Sequence, residues 1–197
     1  YDVAGAATGV VEHDQMLRSE TVVLGDVVLA LSSSGLHSNG FSLVRKIVAD
    51  AGWSYDTEIP DFSGPLGVEL LEPTRLYTKA LVGVLSSHPG TIRVLSHVTG
   101  GGIAQNLSRV LPPHVAVDVD RSTWTPTPIV QVLARAAGFN LERVEDTWNM
   151  GIGMLAVVDQ ARAADITQAL ENSGHTTWQV GEVREDRKST RLNSSHV

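Results

Sequence analysis

Twice in this sequence a short apolar segment leads into a polar, glycine-rich loop and then directly into an amphipathic segment. The first copy joins a strand predicted at 27–31 to a helix predicted at 40–51. The second joins a strand at 91–95 to a helix at 103–111. A strand, loop and helix in this order bring unpaired backbone N–H groups and the positive end of a helix dipole to one point. Each loop is therefore a candidate site for an anionic ligand.

The rest of the chain continues the alternation of short β-rich runs with longer amphipathic ones. This pattern predicts an α+β fold, with a mixed β-sheet covered by helices. The remaining strands are predicted at 7–12, 115–119, 153–158 and 177–183, and the remaining helices at 74–87, 129–137 and 161–173. Loops are predicted around 60–67 and 124–128, where proline and glycine are frequent.

We expect one domain at 1–185, because 197 residues, 42% of them apolar, can bury one sizeable core. The segment 186–197 is polar and aperiodic and resembles translated sequencing-adapter DNA, so we expect it to be a disordered, appended tail. The chain does not open with methionine and begins close to a predicted strand. We therefore expect it to be part of a longer protein.

Composition limits the possible partners. No apolar run reaches the ~18 residues of a membrane span, and no signal peptide is apparent, so we expect a soluble, cytoplasmic protein with no membrane partner. A net charge of −7 offers no basic surface for nucleic acid, and the absence of cysteine excludes disulfides and thiolate chemistry. Any anionic ligand must therefore be held by local geometry.

The first loop offers several polar donors beside one titratable group. His37 is its only side chain that could transfer a proton near neutral pH, and it is our first candidate for catalysis. An alternative stays open, in which Ser38 or Asn39 only caps the helix and His37 is exposed to solvent. The candidate substrate contacts of this loop are Ser33, Ser34, Gly35, Ser38, Asn39 and Gly40.

The second loop contains three consecutive glycines, which indicate a backbone that adopts positive φ or closely approaches another group. A phosphate would fit such a loop, and the neighbouring His97 is the second catalytic candidate. The alternative is a tight turn packed against a helix, with His97 in the core. The candidate substrate contacts of this loop are Thr99, Gly100, Gly101 and Gly102.

A third segment, 147–153, precedes the strand at 153–158. Gly151 and Gly153 would leave space on one face of that strand, and Asn149 could donate a hydrogen bond to a ligand there. Close packing of a helix onto the bare strand is the favoured alternative. The acidic residues read as surface charges, and we predict no metal site in this chain.

These loops, in this order, resemble the phosphoribosylformylglycinamidine cyclo-ligase family, whose members are also called aminoimidazole ribotide synthetases. Three residues depart from the usual family pattern: Ala6, Ser108 and Trp148, the last standing where phenylalanine is usual. The resemblance runs from residue 1 to about 183 and rests on the segments 25–31, 33–45, 71–77, 97–102, 106–112 and 149–154.

The resemblance implies the C-terminal, substrate-side domain of a homodimeric, ATP-dependent ligase of purine biosynthesis. Such an enzyme closes formylglycinamidine ribotide to aminoimidazole ribotide. ATP and Mg²⁺ would be bound mostly by an N-terminal domain absent here, so we expect the isolated chain to be inactive. Two alternatives stay open: a non-catalytic module that binds a phosphoribosyl ligand or forms oligomers, and a relative in formylglycinamidine synthase, selenophosphate or thiamine phosphate chemistry.

Overall fold

A computed structural model describes residues 4–186 and contains one five-stranded sheet. The strands lie in the order β2-β4-β1-β5-β3, so β1 is central. Every neighbouring pair is antiparallel. The strands are β1 (Val27–Ser32), β2 (Ile92–His97), β3 (Val115–Val119), β4 (Ile152–Val158) and β5 (Thr177–Glu185).

Six α-helices accompany the sheet within the described residues. They are α1 (Phe41–Asp50), α2 (Leu66–Leu70), α3 (Thr78–Ser87), α4 (Gly102–Ser108), α5 (Pro128–Ala136) and α6 (Ala163–Asn172). Short 3₁₀ turns lie at His13–Gln15, Ser19–Thr21, Arg121–Thr123, Leu141–Val144 and Gln160–Arg162.

The central strand β1 is buried on both faces, which is why it reads as a continuous apolar run. Leu29 and its neighbours on one face pack with residues of α3 and α6. Val28 and Ala30 belong to a second cluster, which includes Leu107 of α4. Strand alternation thus directs successive side chains of β1 into two different cores.

A third apolar cluster is built from residues of helices and loops and contains no residue of the five strands. It joins α1, α2 and α5, whose buried positions recur at helical spacing, as in Val44, Ile47 and Val48. Trp148, which is fully buried, packs in this cluster. The helical cluster therefore supports the loops that precede β4 and α1.

The predicted α+β class is confirmed, but the pairing differs from the mixed sheet expected. The strands β4 and β5 do run in the same direction, joined through α6, as a β-α-β unit predicts. The strand β1 lies between them and pairs with both, so no parallel pair forms among the described strands.

Three element predictions need correction. Residues 7–12 form no strand and are exposed, with Val10 98% accessible, because no neighbouring strand pairs with them. The helix predicted from 74 begins at Thr78, since the preceding residues run along the loop after β1. The helix predicted at 103–111 ends at Ser108, and α2 was not predicted. The predicted tail, apart from Asp186, lies outside the described residues.

Strand direction brings several loops to one end of the sheet. Because β1 and β2 both pair antiparallel to β4, they end at the edge where β4 begins. The strand β3 ends there too, and β5 starts there. We call this edge the loop end of the sheet. Across residues 4–186, no helix has both the length and the apolar character needed to cross a bilayer.

Candidate functional site

The two predicted glycine loops and the segment before β4 meet at the loop end of the sheet. The Ser33 N–H donates to the Gly151 carbonyl (2.9 Å), and the Val98 N–H donates to the Gly153 carbonyl (2.9 Å). Tyr77 lies between the loops, with its ring centroid 6.1 Å from that of His37 and 6.5 Å from that of His97. The two loops therefore lie close to each other at this end of the sheet.

His37 is buried, with only 6% of its surface exposed, and its backbone is left-handed at φ 52°. Its Nε2 accepts hydrogen bonds from the N–H groups of Ser34 (3.0 Å) and Arg75 (3.3 Å). A nitrogen that accepts carries no proton, so these bonds assign the ring proton to Nδ1. The Nδ1 atom is buried and has no partner among the described residues.

The surroundings of His37 keep its ring neutral. Burial, followed by the charges of His97 and Arg75, lowers the pKa of His37 to about 4. The alternative in which His37 is exposed to solvent is therefore wrong. Its lowered pKa also argues against the proton transfer near neutral pH for which His37 was the first candidate. His37 instead joins the loop after β1 to the segment before α3.

Asn149 is fully buried and forms hydrogen bonds with the first loop. Its amide donates to the Gly35 carbonyl (2.8 Å), and its Oδ1 accepts from Gly151 N–H (2.9 Å) and the Ser33 hydroxyl (3.3 Å). With its amide engaged in this way, Asn149 positions the loop. Its contact with a substrate stays a prediction. The Ser34 hydroxyl donates to the Pro73 carbonyl (2.6 Å).

Asn106 holds the second loop in a similar way. Its amide donates to the carbonyls of Gly102 (2.7 Å) and Thr99 (3.2 Å), and its Oδ1 accepts from the Thr99 hydroxyl (3.1 Å). Gly101 and Gly102 have positive φ, and a Cβ on Gly102 would collide with the Glu145 carbonyl. Positive φ and close approach, the two predicted reasons for these glycines, thus both apply. The group that Gly102 approaches is the backbone of Glu145.

The start of α1 departs from the capping interpretation. The N-cap is Gly40, in the left-handed region at φ 66°, and no side chain caps the helix. Ser38 is exposed, and the Asn39 amide donates back to the Leu36 carbonyl (3.1 Å). A Cβ on Gly40 would lie 2.5 Å from Trp148 Nε1, a buried N–H with no partner among the described residues.

Tyr77 is the centre of an aromatic cluster at the loop end. Its hydroxyl donates to the Ser32 carbonyl (2.8 Å), and its ring centroid is 5.3 Å from that of His175. Gly153 leaves the space that the tyrosine hydroxyl and the His37 ring occupy, since a Cβ there would overlap both. Burial raises the pKa of Tyr77, so the phenol stays protonated and remains a donor.

A cavity of about 720 Å³ opens beside the second loop. Its walls include Ile103, Trp124 and Met150, and its rim includes Asp146 and the Arg121–Glu145 ion pair. Glu145 and Asp146 line this cavity, and Asp146 is exposed, as expected for a surface charge. No three His, Asp or Glu side chains within residues 4–186 are arranged to hold a metal ion.

Several residues at the loop end escaped sequence reasoning. Tyr77 and Arg75 were part of a recognised motif without an assigned role, and His175 carried no local signal at all. Only the register of β5 against β1, which places Thr177 beside Leu31, brings His175 to this end. Of the predicted site residues, Ser38, Gly100 and His97 are exposed, whereas Ser33, Gly35, His37, Gly102 and Asn149 are buried.

Sequence comparison identifies the family. The profile described as "AIR synthase related protein, C-terminal domain" matches residues 24–192. The chain belongs to this family. The match covers both glycine loops, the segment before β4 and all five strands.

Similar full-length proteins carry the name phosphoribosylformylglycinamidine cyclo-ligase. Those from Bacillus licheniformis and Bacillus subtilis are each 40% identical to this chain over 185 residues, which is 93% of the chain and 53% of each relative. The protein from Aromatoleum aromaticum is 40% identical over 184 residues, 93% of the chain and 52% of that relative. This AIR synthase-related chain therefore spans about half the length of the curated relatives it matches.

Solved structures share the fold at low sequence identity. HypE from E. coli, a hydrogenase maturation protein, aligns with a TM-score of 0.54 and 18% identity, over 86% of this chain and 47% of HypE. Thiamine monophosphate kinase from Aquifex aeolicus gives 0.54 and 13%, over 86% of this chain and 50% of that one. T. maritima PurL complexed with AMPPCP gives 0.52 and 13%, over 89% and 24%. These likenesses show the AIR synthase-like fold alone.

Proposed function

We propose that this chain is the substrate-side domain of an ATP-dependent ligase that closes formylglycinamidine ribotide to aminoimidazole ribotide in purine biosynthesis. The observation that carries the proposal is the meeting of the two glycine loops at one end of the sheet. This geometry occurs in a chain 40% identical to relatives named for that reaction.

Ring closure places specific demands on the loop end. ATP supplies the phosphoryl group that turns the formyl oxygen of the substrate into a leaving group. The protein has to hold the amidine nitrogen near the formyl carbon, neutralise the developing charge, and accept the proton that the nitrogen loses. Donors from the loops at 33–40 and 99–102 would orient the ribotide, with the exposed Ser38 and Gly100 best placed to reach it.

The geometry favours His97 for proton transfer and His37 for positioning. His97 is exposed at the end of β2, and its ring centroid lies 6.5 Å from that of Tyr77, whose ring is 6.1 Å from that of His37 in the first loop. The Nε2 of His37 already accepts two backbone N–H groups, and its ring is buried. A general base needs a lone pair that can reach the substrate, which His97 offers and His37 does not.

Nucleotide and metal binding belong to a different part of the proposed enzyme. Among the described residues, no cluster of three or more His, Asp or Glu side chains could hold a metal ion. Mg²⁺ prefers an octahedral set of oxygen ligands. We propose that ATP and Mg²⁺ are bound mostly by a separate nucleotide-binding domain, and that the full-length enzyme is a cytoplasmic homodimer. On this view the present chain alone performs no cyclisation.

Steady-state kinetics of ring closure by the full-length protein tests the assignment of His97. His97→Ala is expected to lower kcat about 100-fold or more, because general-base catalysis contributes at least that factor. His88→Ala is the control, since His88 ends α3 away from the glycine loops and should leave both constants unchanged. An unchanged kcat for His97→Ala, or cyclisation by the present chain alone, would contradict the division of labour.

Two other functions make different predictions. A non-catalytic module would bind the ribotide with the same loops, but the full-length protein would not turn it over. A superfamily member with another reaction would turn over a different substrate with ATP. Assaying the full-length protein with formylglycinamidine ribotide and, separately, with thiamine monophosphate distinguishes these functions.

A further inference from the structure

Arg75 is a partly buried arginine without a carboxylate partner. Within residues 4–186 no Asp or Glu lies within ion-pairing distance of its guanidinium group. Glu72, three residues earlier, instead packs its side chain against Gly35. Arg93, a partly buried arginine of β2, lies at the opposite end of the sheet and pairs with Asp26 (3.2 Å) and Asp159 (3.0 Å). Arg75 therefore presents an uncompensated positive charge at the loop end.

The structure holds Arg75 in place by two contacts of different kinds. Its N–H donates to His37 Nε2 (3.3 Å), which fixes the backbone of the segment before α3. Its guanidinium donates to the Ser32 hydroxyl (3.2 Å), at the last residue of β1. An arginine fixed in this way loses little further conformational freedom when it binds a ligand.

The field of Arg75 reaches its neighbours. Its charge contributes to lowering the pKa of both His37 and His175, after the larger effect of burial in each case. His97, exposed at the end of β2, adds to the same effect on His37. Arg75 thus acts on the cluster around Tyr77, whose ring centroid lies 6.1 Å from that of His37 and 5.3 Å from that of His175.

We propose that the Arg75 guanidinium and the Ser32 hydroxyl, which lie 3.2 Å apart, form an oxyanion site for a phosphate group at the loop end of the sheet. A guanidinium fork binds two oxygens of a tetrahedral anion, which leaves other oxygens for donors from different directions. The identification of that group as the phosphate of a ribotide rests on the proposed function. The affinity for phosphate itself does not.

Titration of the present chain with inorganic phosphate, followed by the NMR signals of arginine Nε–H and histidine rings, tests the site. Saturable shifts are expected for Arg75, with the signals of His88 as internal reference. Arg75→Gln is expected to weaken binding about tenfold or more, because a charge-assisted hydrogen-bond pair is lost. Arg184→Gln, an exposed arginine at the opposite end of the sheet, is the matched control and should bind as wild type does.

A second measurement needs no variant and therefore does not depend on Arg75→Gln folding. Bound phosphate would offset the charge of Arg75 and raise the pKa of His37 and His175, by about one unit for a close anion. Acetate at equal ionic strength should have no saturable effect.

Failure of the site and failure of the proposed function are distinguishable. Non-saturable shifts, equal binding by Arg75→Gln, weakened binding by Arg184→Gln, or saturable binding of acetate would each overturn the site. Saturable phosphate binding together with a full-length protein that does not cyclise the ribotide would retain the site and reject the function.

Discussion

At the scale of single residues, His37 combines a left-handed backbone, a buried ring and an acceptor nitrogen that two backbone N–H groups share. Each of these features would be costly alone. Together they place Ser34 and Arg75 relative to each other. The residue that drew attention as an acid–base group is thus part of the framework that shapes the site.

The low pKa of His37 predicts how stability depends on pH. In the unfolded chain an ordinary histidine binds a proton near pH 6.5, whereas His37 in the folded protein does so only near pH 4. The unfolded state therefore binds more protons between these values, and stability falls as pH decreases through this window. The loss attributable to His37 amounts to about 3 kcal/mol at most, at ~1.4 kcal/mol per pKa unit.

Urea unfolding at pH 7 and at pH 4.5, for wild type and His37→Gln, measures this dependence. The glutamine side chain can still accept from Ser34 and Arg75 but does not titrate. The variant should therefore lose less stability between the two pH values than wild type does. His175, whose pKa burial also lowers, contributes in the same direction and remains in both proteins. Equal losses would show that His37 is not neutral and buried in solution.

Two glycines with the same backbone conformation separate strain from packing. Gly40 and Gly52 both have φ of +66°, but a Cβ on Gly40 would meet Trp148 Nε1 and Thr147 Cγ2 at 2.5 and 2.6 Å. A Cβ on Gly52 would have no neighbour within 4 Å. Gly52→Ala should cost about 1 kcal/mol of unfolding free energy, from backbone strain alone. Gly40→Ala should cost about 2–4 kcal/mol, because overpacking adds to the strain.

Chemical denaturation of both glycine variants gives the comparison directly. Equal destabilisation would mean that Trp148 does not pack beneath the start of α1. In that case the unusual tryptophan, and the uncapped helix end beside it, would need a different explanation.

At the scale of elements, buried asparagines rather than the glycines themselves fix the loops. The amide of Asn149 donates to the Gly35 carbonyl of the first loop, and its Oδ1 accepts from the Gly151 N–H before β4. The amide of Asn106 donates to the Thr99 and Gly102 carbonyls of the second loop. The loops of this sheet end are therefore preorganised without a ligand. Preorganised donors stabilise a developing charge at little further cost.

Removal of the Asn149 side chain should destabilise the protein, because the first loop loses its hydrogen bonds to that amide. Asn149→Ala leaves the Gly35 carbonyl and the Gly151 N–H buried without partners and should cost about 3 kcal/mol or more. Asn172→Ala is the matched control, because Asn172 is exposed and its Oδ1 accepts a hydrogen bond from the Gln168 side chain (3.1 Å). The cost of this variant should stay within about 0.5 kcal/mol. Thermal and urea unfolding of both variants measures the difference, and a cost below about 1 kcal/mol for Asn149→Ala would contradict its role.

Sequence periodicity predicted those helices and strands whose formation depends on nearby residues alone. The apolar run of β1 and the spacing of Val44, Ile47 and Val48 in α1 identify those elements from the sequence. The false strand at 7–12 satisfies the same local pattern, yet no partner strand pairs with it. The late start of α3 has a tertiary cause, since the residues before Thr78 contact Ser34 and His37.

The site was predicted in outline but not in its internal roles. The order of strand, glycine loop and helix located both loops, because this order alone sets where donors gather. The proposed assignment of proton transfer to His97 rather than His37 depends on burial, which a single sequence does not reveal. The contact of His175 with the Tyr77 ring depends on the register of β5 against β1, which is set by long-range pairing.

At the scale of the whole molecule, the two ends of the sheet differ in charge pairing. At one end Arg93 is neutralised by two carboxylates. At the loop end Arg75 has none among the described residues, and the glycine loops converge there. An anionic substrate is therefore expected at the loop end, and the opposite end serves stability.

The crystal structure of the full-length protein with formylglycinamidine ribotide bound tests this account most directly. The account predicts that the ribotide lies between the loops at 33–40 and 99–102, with its phosphate within hydrogen-bonding distance of Arg75. A ribotide bound at the opposite end of the sheet, near Arg93, or one that contacts neither loop, would contradict it.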